Sequence, residues 1–288
     1  MAASAALFGT MNFFARLASA HLPWELVGAT RALVGALVAV AVARARGSSL
    51  HINDKKAMWV RTAFGTAAMG LTFWALASPG LGLGDTATLL NLSPLMIALL
   101  GPALLGERAG RGLYLALALA ATGVMLVLRP AFLFGGAHAS EGAGKTALLA
   151  ASAAMFSAFA MIALRKVGPR ESPEAVSTHF SLTAAAVFTL LSLPHLSVPR
   201  PKDALYMFLA GLAAGLAQIA MTRAYALARA ARVASMGYLS VVVSASYGAA
   251  ALGEWPHPLA LCGMVLVIAG GIVSALPSIR GQGTMPAR

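Results

Sequence analysis

Residues 87–107 read ATLLNLSPLMIALLGPALLGE, and residues 234–254 read ASMGYLSVVVSASYGAAALGE. A displacement of 147 residues carries Ala87 onto Ala234, Ser93 onto Ser240, Gly101 onto Gly248 and Gly106-Glu107 onto Gly253-Glu254. A little further on it carries Gly123 onto Gly270. The chain repeats itself, and the fold has to be built from two copies of one unit.

The solvent of that unit follows from composition. Hydrophobic residues make up 59% of the chain and charged residues only 10%, with a mean hydropathy of +0.79, whereas soluble domains carry about 25% charged residues. The apolar residues fall in runs of about 20 separated by short charged stretches, the length needed to cross a bilayer. With Gly, Pro and charges as punctuation, the predicted spans are 3–20, 24–44, 58–78, 84–105, 111–129, 145–167, 174–195, 203–226, 230–252 and 257–277. The apolar N-terminal stretch ends in a signal-like Ala18-Ser19-Ala20, but it lacks a basic start and carries Asn12 and Arg16. It reads as an uncleaved first helix.

Charge placement sets the orientation. With the N-terminus inside, Arg44, Arg46, Lys55, Lys56, Arg108, Arg111, Arg165, Lys166, Arg170, Arg229, Arg232, Arg280 and Arg288 fall on the cytoplasmic side. Only Arg129, Lys145, Arg200 and Lys202 fall on the other. Cytoplasmic loops hold the excess of basic residues, so both termini are expected in the cytoplasm. The net charge of +12 thus marks topology rather than nucleic-acid binding. The fold class is an all-α membrane protein of ten transmembrane helices in two inverted five-helix repeats. Five helices per unit is an odd number, so the second copy enters the bilayer from the opposite side. The first repeat covers 1–130, a Gly/Ala linker 131–144, the second repeat 145–280 and a cytoplasmic tail 281–288.

Several motifs resemble the EamA-type members of the drug/metabolite transporter superfamily across nearly the whole chain. They are Arg31 after Pro23-Trp24-Glu25, the run from Ala87 to Pro94, Leu105-Gly106-Glu107-Arg108, and Ala121-Thr122-Gly123-Val124. In the second half Val241 stands for the proline and Trp255 for the arginine after Gly-Glu, so the copies have diverged. The resemblance implies a ten-helix pore-like fold with a central substrate cavity, used by most of the family to export small metabolites from the cell across the inner membrane.

Polar residues inside the spans are the candidate site, because lipid penalises them. Arg31 lies about a third of the way into its helix, where an arginine costs roughly 2.5–3.5 kcal/mol on insertion scales. It either meets a substrate carboxylate or phosphate or holds a neighbouring helix through backbone carbonyls. Asn12, Asn91, Gln218 and Tyr238 should face the interior, where they line a cavity or bind helices together. Phe13 and Trp74 could form cavity walls for an amphipathic solute. His179 is the histidine placed well inside a span, as a proton coupler or an interhelical hydrogen-bonder. Pro94, near the middle of the fourth span, and Gly237 are read as gating or packing positions. Glu107 and Glu254, at the ends of the fourth and ninth spans, are expected to receive the N-terminus of the next helix.

No spacing supports catalysis or a bound metal. Gly142-Ala143-Gly144-Lys145-Thr146 ends like a phosphate-binding loop, but Ala139 replaces the first required glycine. Cys262 is the single cysteine, so an internal disulfide is excluded. The expectation is a non-enzymatic transporter or facilitator without cofactor, with a small-molecule substrate and the lipid bilayer as its partners. Monomer and homodimer are both compatible with it. Export of amino acids or related compounds by alternating access is the leading reading. The alternative is transport of larger organic anions such as nucleotides, sugar phosphates or cofactors, which calls for basic residues beyond Arg31.

Overall fold

Runs of Ala, Leu, Val and Gly with few interior charges leave the backbone one way to satisfy its N–H and C=O groups in lipid, the helix. In the computed structural model the described residues are 1–78, 83–107, 110–128, 133, 142–252 and 257–275, and no strand occurs among them. The elements are α1 (Ala2–Ser19), α2 (Trp24–Arg46), α3 (Lys55–Ala77), α4 (Leu83–Leu90), α5 (Ser93–Leu105) and α6 (Arg111–Leu128). They continue as α7 (Ala143–Val167), α8 (Pro173–Ser192), α9 (Pro201–Leu227), α10 (Ala230–Gly237), α11 (Leu239–Leu252) and α12 (Pro258–Ala275). Among the described residues five stretches are long and apolar enough to cross a membrane: Trp24–Arg46, Ala143–Val167, Pro173–His195, Pro201–Leu227 and Ala230–Ala251. The expected 281–288 tail, Glu254 and most of the 131–144 linker lie outside the described residues. The phosphate-loop look-alike is the start of α7, with Gly142 at φ 92° as its cap.

Helix ends follow the chain's local chemistry. Asp54 accepts from the Ala57 N–H and Ser172 from the Ala175 N–H, capping α3 and α8. Gly47 (φ 63°) and Gly106 (φ 67°) close α2 and α5 in the left-handed region.

Two predicted spans differ from expectation. The span 84–105 is two helices with a turn at Asn91-Leu92, and 230–252 is two helices with a turn at Tyr238. Pro94 does not make the first break. It occupies the first turn of α5, where its missing N–H costs nothing. The second break forms without any proline, at the position 147 residues on. The Tyr238 hydroxyl donates to the Asn91 carbonyl at 2.9 Å, so the two breaks are joined to each other.

Small residues set the packing. A β-carbon at Gly123 of α6 would sit 2.5 Å from the Gly263 carbonyl oxygen of α12, and one at Gly270 would sit 2.7 Å from the Ala116 carbonyl oxygen. These two contacts are images of one another under the same displacement of 147. On another seam α9 lies against α2, where a β-carbon at Gly215 would be 3.0 Å from the Gly35 Cα and 2.8 Å from the Val38 Cβ. The backbones approach this closely because glycine presents no side chain. Elsewhere the seams are bulky: Phe64 of α3 packs beside Phe156 and Phe159 of α7, with ring centroids 5.5 and 5.3 Å away.

One end of the bundle is bolted by carboxylates. Glu107 accepts from Arg165 at 2.7 Å and from the Ala230 N–H at 2.8 Å. Arg165 also donates to the Tyr225 and Ala226 carbonyls that end α9. The sequence expectation for Glu107 is corrected in one respect: the helix it caps is α10 in the other half rather than the next helix, because the chain turn after α5 brings the carboxylate against that N-terminus. At the same end Glu171 accepts from the Asn53 and Asp54 N–H groups, and Glu174 from Arg46 at 3.1 Å.

Candidate functional site

Between α1, α2, α3, α7, α8 and α9 lies a cavity of about 350 Å³. Arg31, Arg61, Gln218 and Asn12 supply its polar wall, and Phe8, Phe73, Phe180 and Met69 much of its apolar wall. That volume falls in the usual range for small-molecule sites, about 300–1,000 Å³, and the apolar lining with few polar groups is their usual make-up.

Each polar group has a structural reason to be there. Arg61 enters from the second turn of α3 and is 1% exposed. Its guanidinium lies 4.0 Å from the centroid of the Phe180 ring, a cation–π contact. Its seat exists because Gly65 follows one turn later: a β-carbon there would come within 2.9 Å of Arg61 Nη1 and 3.0 Å of Phe180. Arg61 Nε and Nη1 are buried without a hydrogen-bond partner, and so is Gln218 Oε1. Arg31 Nη1 approaches the Met69 sulfur at 3.6 Å, a weak acceptor. No Asp or Glu is among the residues lining this cavity. Two guanidinium groups thus face an apolar-walled space without acidic counter-charge, an arrangement suited to an anionic, partly apolar solute.

Of the residues singled out from sequence, Asn12, Arg31 and Gln218 meet in this cavity. Asn91, Pro94, Gly237 and Tyr238 meet elsewhere, around a space of about 210 Å³ at the two helix breaks. His179 lies outside the central cavity. It lines a separate pocket with Lys55 and Trp59, bonds Thr62 at 2.9 Å through Nδ1 and meets the edge of Trp59. Phe13 stacks on Tyr247 with centroids 5.0 Å apart. Trp74 is half exposed, with the Lys145 ammonium 5.6 Å from its ring. Neither of these two aromatic rings lines the central cavity.

Sequence reasoning missed Arg61 and Phe180. An arginine three residues inside a predicted span resembles one that snorkels to the interface, and a lone phenylalanine in an apolar run carries no signal. The small residue one turn after Arg61 was the available clue.

Among the described residues no group of three or more His, Cys, Asp or Glu gathers to hold a metal. A bundle of apolar, membrane-spanning helices around an apolar cavity with a few polar groups is an architecture suited to a membrane transporter. The chain belongs to the EamA-like transporter family, whose profile matches residues 1–129 and again 144–276. The double match gives the family's two-repeat architecture directly. Among relatives, the pseudopaline exporter CntI of Pseudomonas aeruginosa (strain UCBPP-PA14) is 27% identical over 262 residues, covering 91% of this chain and 89% of that one. A riboflavin transporter of Vibrio cholerae is 23% identical over 266 residues, covering 91% and 86%. A solved crystal structure superposes with a TM-score of 0.77 at 22% identity, covering 95% of this chain and 98% of the other, a likeness of fold. The protein is an integral membrane transporter of small metabolites.

Proposed function

We propose that the protein exports small amphipathic metabolites that carry a carboxylate, amino acids and related compounds first among them. The observation that carries this is the pair Arg31 and Arg61, lining one cavity whose lining includes no Asp or Glu. A carboxylate gains most from a guanidinium in a low-dielectric site. Gln218 Oε1, buried without a partner, is an acceptor suited to a substrate amine or amide. Phe8, Phe73 and Phe180 then hold the apolar part. Export is the direction in the name of the pseudopaline relative.

The architecture proposed with it is ten membrane crossings as two inverted repeats in the inner membrane, with both termini cytoplasmic. Support comes from the basic residues gathered at one end and from contacts that recur at a displacement of 147. Alternating access follows from such a repeat. The bolted end, which carries Glu107, Glu171 and Glu174, is then the cytoplasmic one.

The test is flux of a metabolite panel into and out of proteoliposomes, with and without an imposed pH gradient. Saturable movement of a carboxylated metabolite, lost in Arg31→Gln, supports the reading, and transport indifferent to the substrate's carboxylate refutes it. One observation favours the second reading, larger organic anions: Arg61 supplies the additional basic residue which that reading requires. Nucleotides and sugar phosphates therefore belong in the same panel.

A further inference from the structure

The two arginines stand at different levels of one wall. Arg31 reaches α3 at Met69, where Nη1 is 3.6 Å from the sulfur. Arg61 folds forward along α3, so that Nη1 lies against the Gly65 position. Gly65 and Met69 are four residues apart, about 6 Å along the α3 axis, so the two guanidinium groups meet that helix about one turn apart. Phe180 lines the wall beside both of them. Each arginine lacks an acidic partner among the described residues, and Arg61 has two nitrogens buried with no hydrogen-bond partner. An uncompensated buried charge is costly, and one anionic group held at Arg31 leaves that of Arg61 standing.

We propose that the substrate carries two separate anionic groups, one received by Arg31 and the other by Arg61, so that the cavity selects dicarboxylates over monocarboxylates of the same length. This rests on the carboxylate-export reading and narrows it to a charge pattern. Phe180 packs on the Arg61 guanidinium, with its ring centroid 4.0 Å from the central carbon, and this leaves the guanidinium N–H fork for the second carboxylate. Gly65 is the positioning residue for that fork. Arg31 takes the first group, as the transport reading already has it.

The experiment measures binding of α,ω-dicarboxylates of four to eight carbons, and of the matching monocarboxylates, to the purified full-length protein by thermal shift and calorimetry. The expected result is a best dicarboxylate at least tenfold tighter than its monocarboxylate. Arg61→Gln should bring that ratio close to one, because dicarboxylate affinity falls by much more than monocarboxylate affinity does. Gly65→Ala, which keeps both charges but displaces the fork, should reduce the ratio severalfold. Arg61→Lys, which keeps the charge without the fork, should land between Arg61→Gln and the parent protein and serves if Arg61→Gln does not fold. Equal binding of mono- and dicarboxylates, lost in Arg31→Gln, would overturn the proposal and leave carboxylate export standing. Binding of no carboxylate would overturn both. Preference for inorganic phosphate or a phosphate monoester over every dicarboxylate would overturn the two-group form, since one doubly charged group would then be bridging both arginines.

Discussion

Replacing Gly123 by alanine tests the packing of α6 on α12 with an internal control. The new β-carbon would sit 2.5 Å from the Gly263 carbonyl oxygen and 2.8 Å from the Val267 nitrogen, about 0.8 Å short of the ~3.3 Å at which carbon and carbonyl oxygen ordinarily meet. Both neighbours are backbone, so no side chain can swing away and the helices must part. Overpacking of this kind costs about 1–3 kcal/mol, with rigid backbone at the upper end. Alanine returns about 1 kcal/mol of helix propensity. The net loss is then about 2 kcal/mol. Gly70→Ala in α3 meets nothing within 4 Å and should keep its propensity gain of about 1 kcal/mol. The two variants therefore differ by about 3 kcal/mol, or roughly 6–12 °C in Tm for a chain of this size. Thermal unfolding of the purified proteins by intrinsic fluorescence reads the difference directly. Melting of the two variants within about 2 °C of each other would refute the backbone-contact account.

Four further outcomes are expected. Glu107→Gln removes the charge that Arg165 and the Ala230 N–H share, so Tm should fall by the equivalent of about 1–2 kcal/mol while substrate affinity is unchanged in binding assays. Arg31→Gln should do the reverse, lowering affinity at least tenfold at near-normal Tm, with Arg31→Lys in between because it keeps charge without the planar fork; unchanged affinity would remove Arg31 from the site. His179 lies outside the central cavity, so His179→Gln should leave proteoliposome flux intact and a pH gradient should not accelerate it; strong acceleration that survives the substitution would show coupling through another group. In a Cys262→Ser background, cysteines at the exposed Lys56 and Arg170 should react with impermeant maleimide only from the cytoplasmic face and one at Val198, 95% exposed, only from the other.

Hydropathy located the helices well because it measures what lipid demands, length without charge. The runs opening at Trp24, Ala143 and Pro201 were visible for that reason. It read 84–105 as one span with Pro94 as a gating or packing position, whereas the break falls at Asn91-Leu92, because proline costs nothing in a first turn. The repeat supplied the better clue, because Asn91 and Tyr238 differ chemically and still occupy one register. Arg31 could be found from its depth, which no snorkelling relieves. Arg61 could not, because its burial depends on Phe180 of another helix and on the space left by Gly65, and a single chain's periodicity does not say which helix faces which. Phe13 and Trp74 were selected for being aromatic inside spans, and a ring in a bundle packs on a neighbouring ring or borders the lipid as readily as it walls a cavity.

The glycine seam between α9 and α2 is not copied in the other half. The displacement of 147 relates Gly211 to Phe64 and Gly215 to Ala68, and Phe64 is spent between α7 aromatics. The counterpart pair, α3 and α8, is spanned by long side chains instead, Arg61 on Phe180 and Thr62 on His179. A contact of bare backbones has no slack, whereas one bridged by rotatable side chains can open by several ångströms. Under the alternating access proposed above, rocking of one half against the other would pivot on the first seam as a stiff spine and spend its amplitude at the second. The arginine of that second seam is also a wall of the cavity, so in that motion occupancy and joint angle would become a single coordinate, and a cargo that grips Arg61 would pull directly on the moving part.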